Sequence, residues 1–102
     1  MEQTERIKQM ELCLDEATAA VADLSAALDR YSQAQPAINA LAAYYGSDAW
    51  KADFHADEQG LLPADLKRGV LSEDAAWNVL SDSRELNIRL LETLLTILKD
   101  KP

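Results

Sequence analysis

The fold is decided by residues 7–31, IKQMELCLDEATAAVADLSAALDRY, in which apolar side chains recur at alternating intervals of three and four. This spacing places them along one side of an α-helix, as in a coiled coil or a helical bundle. The pattern continues more weakly to Tyr45, with Gln35 and Ala42 filling two places. We call the apolar members the heptad seam: Ile7, Met10, Leu14, Ala17, Val21, Leu24, Leu28, Tyr31, Ile38 and Tyr45.

A second column of mostly small apolar residues runs beside the seam. It contains Cys13, Ala20, Ala27, Ala34 and Leu41. The apolar face is therefore three columns wide, which is typical of a bundle helix rather than a narrow zipper. Small side chains would let a partner helix approach closely. We expect one helix over about 2–44, kinked near Pro36, because proline removes a backbone bond and also suits the first turn of a new helix.

The remainder of the chain predicts three further elements. Gly46 should end the first helix, and Ser47 should cap a short helix over 47–54. A polar loop, HADEQG, would follow at 55–60. A connector over 61–71 should contain a helical turn at 64–67 that Gly69 ends. Ser72 should cap a last helix over 73–99, whose apolar face carries Trp77, Leu80, Ile88, Leu91, Leu95 and Leu98.

These elements predict an all-α fold and a single helical domain over 1–102. The two long helices would lie antiparallel, with the short helix and the connector packed over one end. Two helices alone cannot enclose so wide an apolar face. Either the connector covers it or a second copy of the chain does, and we expect both.

Composition excludes several classes of protein. The 102 residues contain 10 Lys and Arg against 18 Asp and Glu, a net charge of −8 with no basic cluster. Direct nucleic-acid binding is therefore not expected, because it relies on clustered cations. Cys13 is the only cysteine, so an intramolecular disulfide cannot form. The start, MEQTERIK, lacks an apolar signal core, and the apolar window at 90–98 is too short to span a bilayer. We expect a cytoplasmic protein that does not enter a membrane.

An acidic cluster offers the most site-like chemistry in the sequence: Asp53, His55, Asp57 and Glu58. Carboxylate and imidazole groups at this density could bind a divalent cation. The spacing matches neither a calcium loop nor a helical zinc motif. The alternative, which we favour, is that these side chains cap helix ends and pair with Lys51, Lys67 and Arg68. We therefore expect no catalytic residue and no cofactor.

Arg84 interrupts the apolar face of the last helix. It could be buried and pair with Asp15 or Glu16, which would fix the alignment of the helices; the alternative is recognition of an anionic ligand. A second candidate site is aromatic and contains Tyr44, Tyr45, Trp50 and Trp77. These side chains should pack the connector against the helices, or line a groove for a partner peptide.

Three motifs carry a resemblance to a known family. They are YYGSxxW at residues 44–50, DExGxLPxDLKRGVLSEDA at 57–75 and RELNIRLLE at 84–92. With the RIKxME-type start at 6–11, the chain resembles a family of short bacterial proteins catalogued only as a domain of unknown function. The resemblance implies a largely helical protein of about 100 residues and supplies no activity, cofactor or catalytic residue. Residues 57–74 would be its signature, for which a folding role competes with a functional one.

Three functions follow as hypotheses. The first is a non-catalytic interaction module, a homodimer that also binds an unidentified protein, based on the wide apolar face. The second is an acidic inhibitor or immunity-type protein that covers the basic site of a toxin or a nucleic-acid enzyme. The third is a small metal-dependent enzyme that uses the acidic cluster. An enzyme is the least supported class, because the sequence contains no phosphate-binding glycine loop, nucleophile elbow or metal-spaced cysteine pair.

Overall fold

The structure, a computed structural model, describes residues 2–100 and is all-helical over that range. Helix α1 spans Gln3–Tyr44, α2 spans Asp48–Glu58 and α3 spans Glu73–Lys99. A 3₁₀ turn, Gly69–Leu71, precedes α3. No strand occurs within residues 2–100. The predicted all-α fold with two long helices, one short helix and a connector is confirmed.

Helix α1 is continuous through Pro36. The Glu2 carboxylate accepts hydrogen bonds from the backbone N–H groups of Thr4 and Glu5 at its start, which satisfies donors that have no partner inside the helix. The helix does not restart at Pro36. Proline removes one backbone hydrogen bond, and the helical hydrogen bonds before and after it outweigh that loss. The kink stays a prediction. The chain nevertheless divides into two compact units, one ending at Pro36 and one beginning at Ala37. The single domain also stays a prediction.

The junction between α1 and α2 forms as predicted. Gly46 has a φ of +79°, a left-handed conformation that glycine adopts without steric cost. The next residue, Ser47, is extended, and its hydroxyl accepts a 3.2 Å hydrogen bond from the backbone N–H of Trp50. Gly46 thus ends one helix and Ser47 begins the next.

Helix α2 is longer than predicted, since it includes residues 55–58 that we expected in a loop. Gly60, with a φ of +71°, marks its true end. The backbone N–H of Gly60 donates to the carbonyl of Asp57, and that of Leu61 donates to the carbonyl of Ala56, both at 3.0 Å. This pair of bonds is a Schellman motif with Gly60 at its left-handed position. The polar residues 55–58 therefore belong to a helical turn that is only partly exposed.

The connector differs from its prediction in one respect. Residues 64–65 form a turn, closed by a 3.2 Å hydrogen bond from the Leu66 N–H to the Pro63 carbonyl, and no helix forms at 64–67. Gly69 begins the 3₁₀ turn rather than ending a helix. As predicted, Ser72 caps α3, with its hydroxyl 3.0 Å from the Ala75 N–H.

The buried core of the described residues is small. Leu71 and Ala76 are 6% and 3% exposed, and no other described residue is classed as buried. Leu71 ends the 3₁₀ turn and Ala76 lies in the first turn of α3. The connector thus supplies one of the two core residues, which agrees with its predicted role as packed structure rather than free linker.

The apolar faces of the two long helices are exposed in the single chain, so their expected cover by the connector and a second copy stays a prediction. Leu14 and Leu24 of the heptad seam are 58% and 51% exposed, and Leu91 of α3 is 61% exposed. The antiparallel arrangement of the two long helices stays a prediction.

Candidate functional site

The exposed part of the heptad seam is the first candidate site. Every residue from Glu2 to Arg30 is exposed. Six large apolar side chains on one side of α1 are between 44% and 70% exposed: Ile7, Met10, Leu14, Val21, Leu24 and Leu28. Single exposed apolar residues are ordinary, whereas a continuous apolar row marks an interaction surface.

The two flanks of this seam differ in polarity. On one side lie Cys13, Ala20 and Ala27, which are apolar and small. On the other side, at the corresponding heptad positions, lie Glu11, Thr18 and Ser25. A shallow, solvent-open depression of about 540 Å³ lies at the middle of the seam, toward the polar flank. It is lined by Ala17, Thr18, Val21, Ala22 and Ser25.

The C-terminal half of α3 carries a second exposed apolar row. Its large side chains are between 40% and 68% exposed, and they are Leu86, Ile88, Leu91, Leu94, Leu95, Ile97 and Leu98. Arg84, which precedes this row, is also exposed. The two ion pairs among residues 2–100 join Lys8 to Glu5 and Arg68 to Asp57, and neither includes Arg84. A buried Arg84 within one chain is therefore wrong, and its roles at an interface or toward an anion stay predictions.

Two of the four aromatic candidates, Tyr45 and Trp50, form a junction together with Phe54. The rings of Tyr45 and Trp50 meet edge to face at 5.2 Å, and Trp50 stacks on Phe54 at 5.1 Å. The phenol of Tyr45 donates a 3.1 Å hydrogen bond to the Glu73 carbonyl at the start of α3. A 3.0 Å hydrogen bond from the Trp50 indole N–H to the Val70 carbonyl extends these contacts to the connector.

The fourth aromatic candidate, Trp77, is 57% exposed. It takes no part in the two ring contacts of the junction. The groove for a partner peptide, which would need all four side chains on one surface, stays a prediction.

The acidic cluster divides between two structural contacts. Asp53 Oδ2 accepts a 2.5 Å hydrogen bond from the Tyr44 phenol. This bond, with desolvation and the carboxylate charge, raises the pKa of Tyr44 above its ordinary value of 10.0. Asp57 Oδ1 is 3.0 Å from Nη1 of Arg68, the pairing that the sequence predicted. Because residues 53 and 57 are one turn apart, both contacts occupy the same side of α2.

The side chains of the acidic cluster are not arranged as metal ligands in the described part of the chain. Within residues 2–100, no group of three His, Cys, Asp or Glu side chains could hold a metal ion. His55 is exposed and, at two residues from both Asp53 and Asp57, points away from their side of α2. The four residues therefore do not converge, although they are close in sequence.

Of the two contacts in this region, the sequence predicted one only among several alternatives and missed the other. Arg68 was one of three cations proposed for the acidic cluster, and nothing in the pattern selected it over Lys51 or Lys67. The Tyr44–Asp53 bond spans nine residues across a turn. The signal that could have found it was Gly46, because a left-handed residue there reverses the chain and brings the end of α1 toward α2.

None of the helices described over residues 2–100 has an apolar stretch of the length and hydropathy that a bilayer span requires.

The fold and these surfaces define a small all-helical protein with exposed apolar faces. The family model for a domain of unknown function, DUF4298, matches residues 7–93, and the chain belongs to that family. The resemblance drawn from the sequence motifs is thereby confirmed. Neither the curated proteins nor the solved structures include a match to this chain.

Proposed function

We propose that this protein is a non-catalytic helical interaction module that forms a homodimer and also binds a further protein. The observation that carries the proposal is the exposed seam of α1, in which six large apolar side chains in one row are at least 44% exposed. A helix of this kind gains most of its stability when its apolar face packs against a partner. A second copy of the chain offers an identical row of the required length.

The accessible area supports the same proposal. The chain has 8466 Å² of accessible surface, whereas scaling with mass gives about 5,700 Å² for a folded monomer of 11.3 kDa. The difference of about 2,700 Å² exceeds the roughly 800 Å² that each partner contributes to a standard interface. A dimer contact could therefore be formed from surface that a folded monomer would ordinarily bury.

The predicted cytoplasmic location is part of this proposal. Cys13 is a free, exposed thiol, a state that is kept most readily in a reducing compartment.

Light scattering coupled to size-exclusion chromatography tests the proposal with two matched variants. Leu14→Glu places a charge on the seam, while Leu12→Glu places the same charge outside the seam at a residue that is 69% exposed. Leucine and glutamate have similar helix propensities, so neither change should unfold the helix. We expect the wild type and Leu12→Glu to be dimers and Leu14→Glu to be a monomer. A monomeric wild type, or equal behaviour of the two variants, would contradict the proposal.

The net charge of −8 favours a second candidate, the acidic inhibitor or immunity-type protein. The carboxylates of Asp53 and Asp57 are engaged within the chain, so a basic partner would have to be met by others, such as those on α1. Calorimetry with basic nuclease toxins over a range of salt concentrations tests this candidate. Affinity that falls steeply with salt would support it, and absence of binding at low salt would contradict it.

The third hypothesis, a small metal-dependent enzyme, has no arrangement of side chains in its favour. Asp53, His55, Asp57 and Glu58 do not converge on one point among the described residues. We therefore do not include it in the proposal. Metal analysis of the untagged protein would reopen it if a divalent cation copurified at one equivalent per chain.

A further inference from the structure

The exposed seam needs a cover of matching length and chemistry. From Ile7 to Tyr31 it extends along about 36 Å of helix, and its large apolar members are exposed until the half-buried Tyr31. If two copies associate as proposed above, on which this inference rests, the same stretch of a second α1 meets both requirements. The question is then how the two helices are oriented and aligned.

The unequal flanks decide the orientation. In a parallel, in-register pair, the apolar flank of one helix lies beside the polar flank of the other. Each residue of the apolar flank then neighbours the partner residue whose number is five higher. Cys13 would then lie beside the partner's Thr18, and Ala20 beside the partner's Ser25. In an antiparallel pair each flank lies beside its own counterpart. The apolar flank then buries its small side chains together, and the polar flank stays in contact with water.

The ends of the seam decide the register. An antiparallel pair can shift only in steps of seven residues if seam positions are to stay opposite one another. In one register, the stretch from Ile7 to Tyr31 lies along the same stretch of the partner over its full length. A shift of seven in one direction leaves Leu28 and Tyr31 without a seam partner, and a shift in the other direction sets the polar Gln35 against Met10.

We propose that two α1 helices pair antiparallel about a centre near Ala19, with opposed residue numbers adding to 38. The four opposed pairs, each formed twice, are Ile7 with the partner's Tyr31, Met10 with the partner's Leu28, Leu14 with the partner's Leu24, and Ala17 with the partner's Val21.

The central depression agrees with this register. Ala17 and Val21 both line it, and the pairing sets each small Ala17 opposite a larger Val21. Alternation of large and small side chains across an interface fills space at native density. A parallel pair would instead stack Ala17 on the partner's Ala17 and leave a void there.

Electrostatics offers a weak counter-argument. A parallel pair would place Arg6 beside the partner's Glu11, an opposite-charge contact that the antiparallel pair lacks. Exposed ion pairs of this kind contribute little, whereas antiparallel helices also align their dipoles favourably. The apolar layers and the flanks therefore decide the orientation.

Disulfide trapping tests the proposal in the full-length chain with Cys13→Ala as the background. Leu14→Cys and Leu24→Cys are prepared separately and incubated with oxidised glutathione, alone and as an equal mixture. In the proposed register the thiols face each other only in the mixed dimer. We expect at least about tenfold more cross-linked dimer in the mixture than in either variant alone, because the thiols then react at millimolar effective concentration.

Sedimentation of the same reduced variants separates the possible failures. Cross-linking of each variant with itself would indicate a parallel pair, and it would overturn this inference while leaving self-association intact. A dimer by sedimentation that forms no cross-link in any sample would place the contact on another face, such as the apolar row of α3, and would also overturn it. Monomeric protein, including the wild type, would contradict the proposed function itself.

Discussion

The indole N–H of Trp50 donates a 3.0 Å hydrogen bond to the carbonyl of Val70. This bond joins α2 to the 3₁₀ turn, twenty residues further along the chain. The same ring meets Tyr45 edge to face and stacks on Phe54. Trp50 is therefore the side chain through which the end of α1, helix α2 and the connector are held together.

Trp50→Phe should destabilise the protein, because it keeps an aromatic ring but removes the donor to Val70. We expect a loss of about 0.5–1.5 kcal/mol in the free energy of unfolding, the usual net value of one hydrogen bond. Urea denaturation followed by circular dichroism measures it. Trp77→Phe is the matched control, since Trp77 is 57% exposed, and its effect should stay within about 0.5 kcal/mol. Equal losses in the two variants would show that the indole bond has no special role.

Gly46→Ala should also destabilise the protein, because the φ of +79° is costly for a residue with a Cβ atom. We expect a loss of about 1–2 kcal/mol. Gly69→Ala provides the comparison, since φ at Gly69 is not positive and a Cβ atom there meets nothing within 4 Å. That variant should be unchanged or more stable by up to about 1 kcal/mol, because alanine lowers the conformational entropy of the unfolded chain. The prediction fails if both substitutions have the same sign and size.

The Tyr44–Asp53 bond should make stability depend on pH in the alkaline range. The hydrogen bond to Asp53 raises the pKa of Tyr44 above 10.0 in the folded protein. The stabilisation is therefore complete below pH 10 and is lost as the pH rises through the folded pKa, where a phenolate would face a carboxylate. Tyr44→Phe should be less stable than the wild type at pH 8, with the difference shrinking above pH 10.

Chemical denaturation of the wild type and Tyr44→Phe between pH 8 and pH 11 measures this dependence. Asp53→Asn serves as the control, because it removes the charge while leaving an oxygen acceptor, so the alkaline loss should be smaller. A difference between wild type and Tyr44→Phe that stays constant up to pH 11 would contradict the assignment.

Helix identity and the caps at Ser47 and Ser72 could be predicted because they depend on local chemistry. A hydroxyl at an N-cap and a glycine in a left-handed turn act through residues three or four positions away. The end of α2 was misplaced for a related reason. The polar residues 55–58 resemble a loop by composition, but Gly60 supplies the stop signal, and its Schellman bonds extend the helix to Glu58.

The contacts that depend on tertiary structure could not be predicted to the same extent. A pattern of apolar residues indicates which face of α1 is available, but it does not say whether the cover comes from the same chain or from another. Leu14 and Leu24 show this, since their spacing predicted burial and they are more than 50% exposed in the single chain. Likewise, the position of Arg84 in an apolar row suggested a buried ion pair, but the side chain is exposed.

The central claim is that a second copy covers the seam of α1, and the concentration dependence of thermal unfolding tests it most directly. Association that stabilises the folded state raises the midpoint as protein concentration rises. Wild-type protein is followed by circular dichroism over about a hundredfold range of concentration, with Leu14→Glu alongside. The proposal predicts a midpoint that rises with concentration for the wild type and stays fixed for Leu14→Glu. A wild-type midpoint that is the same at every concentration would contradict it.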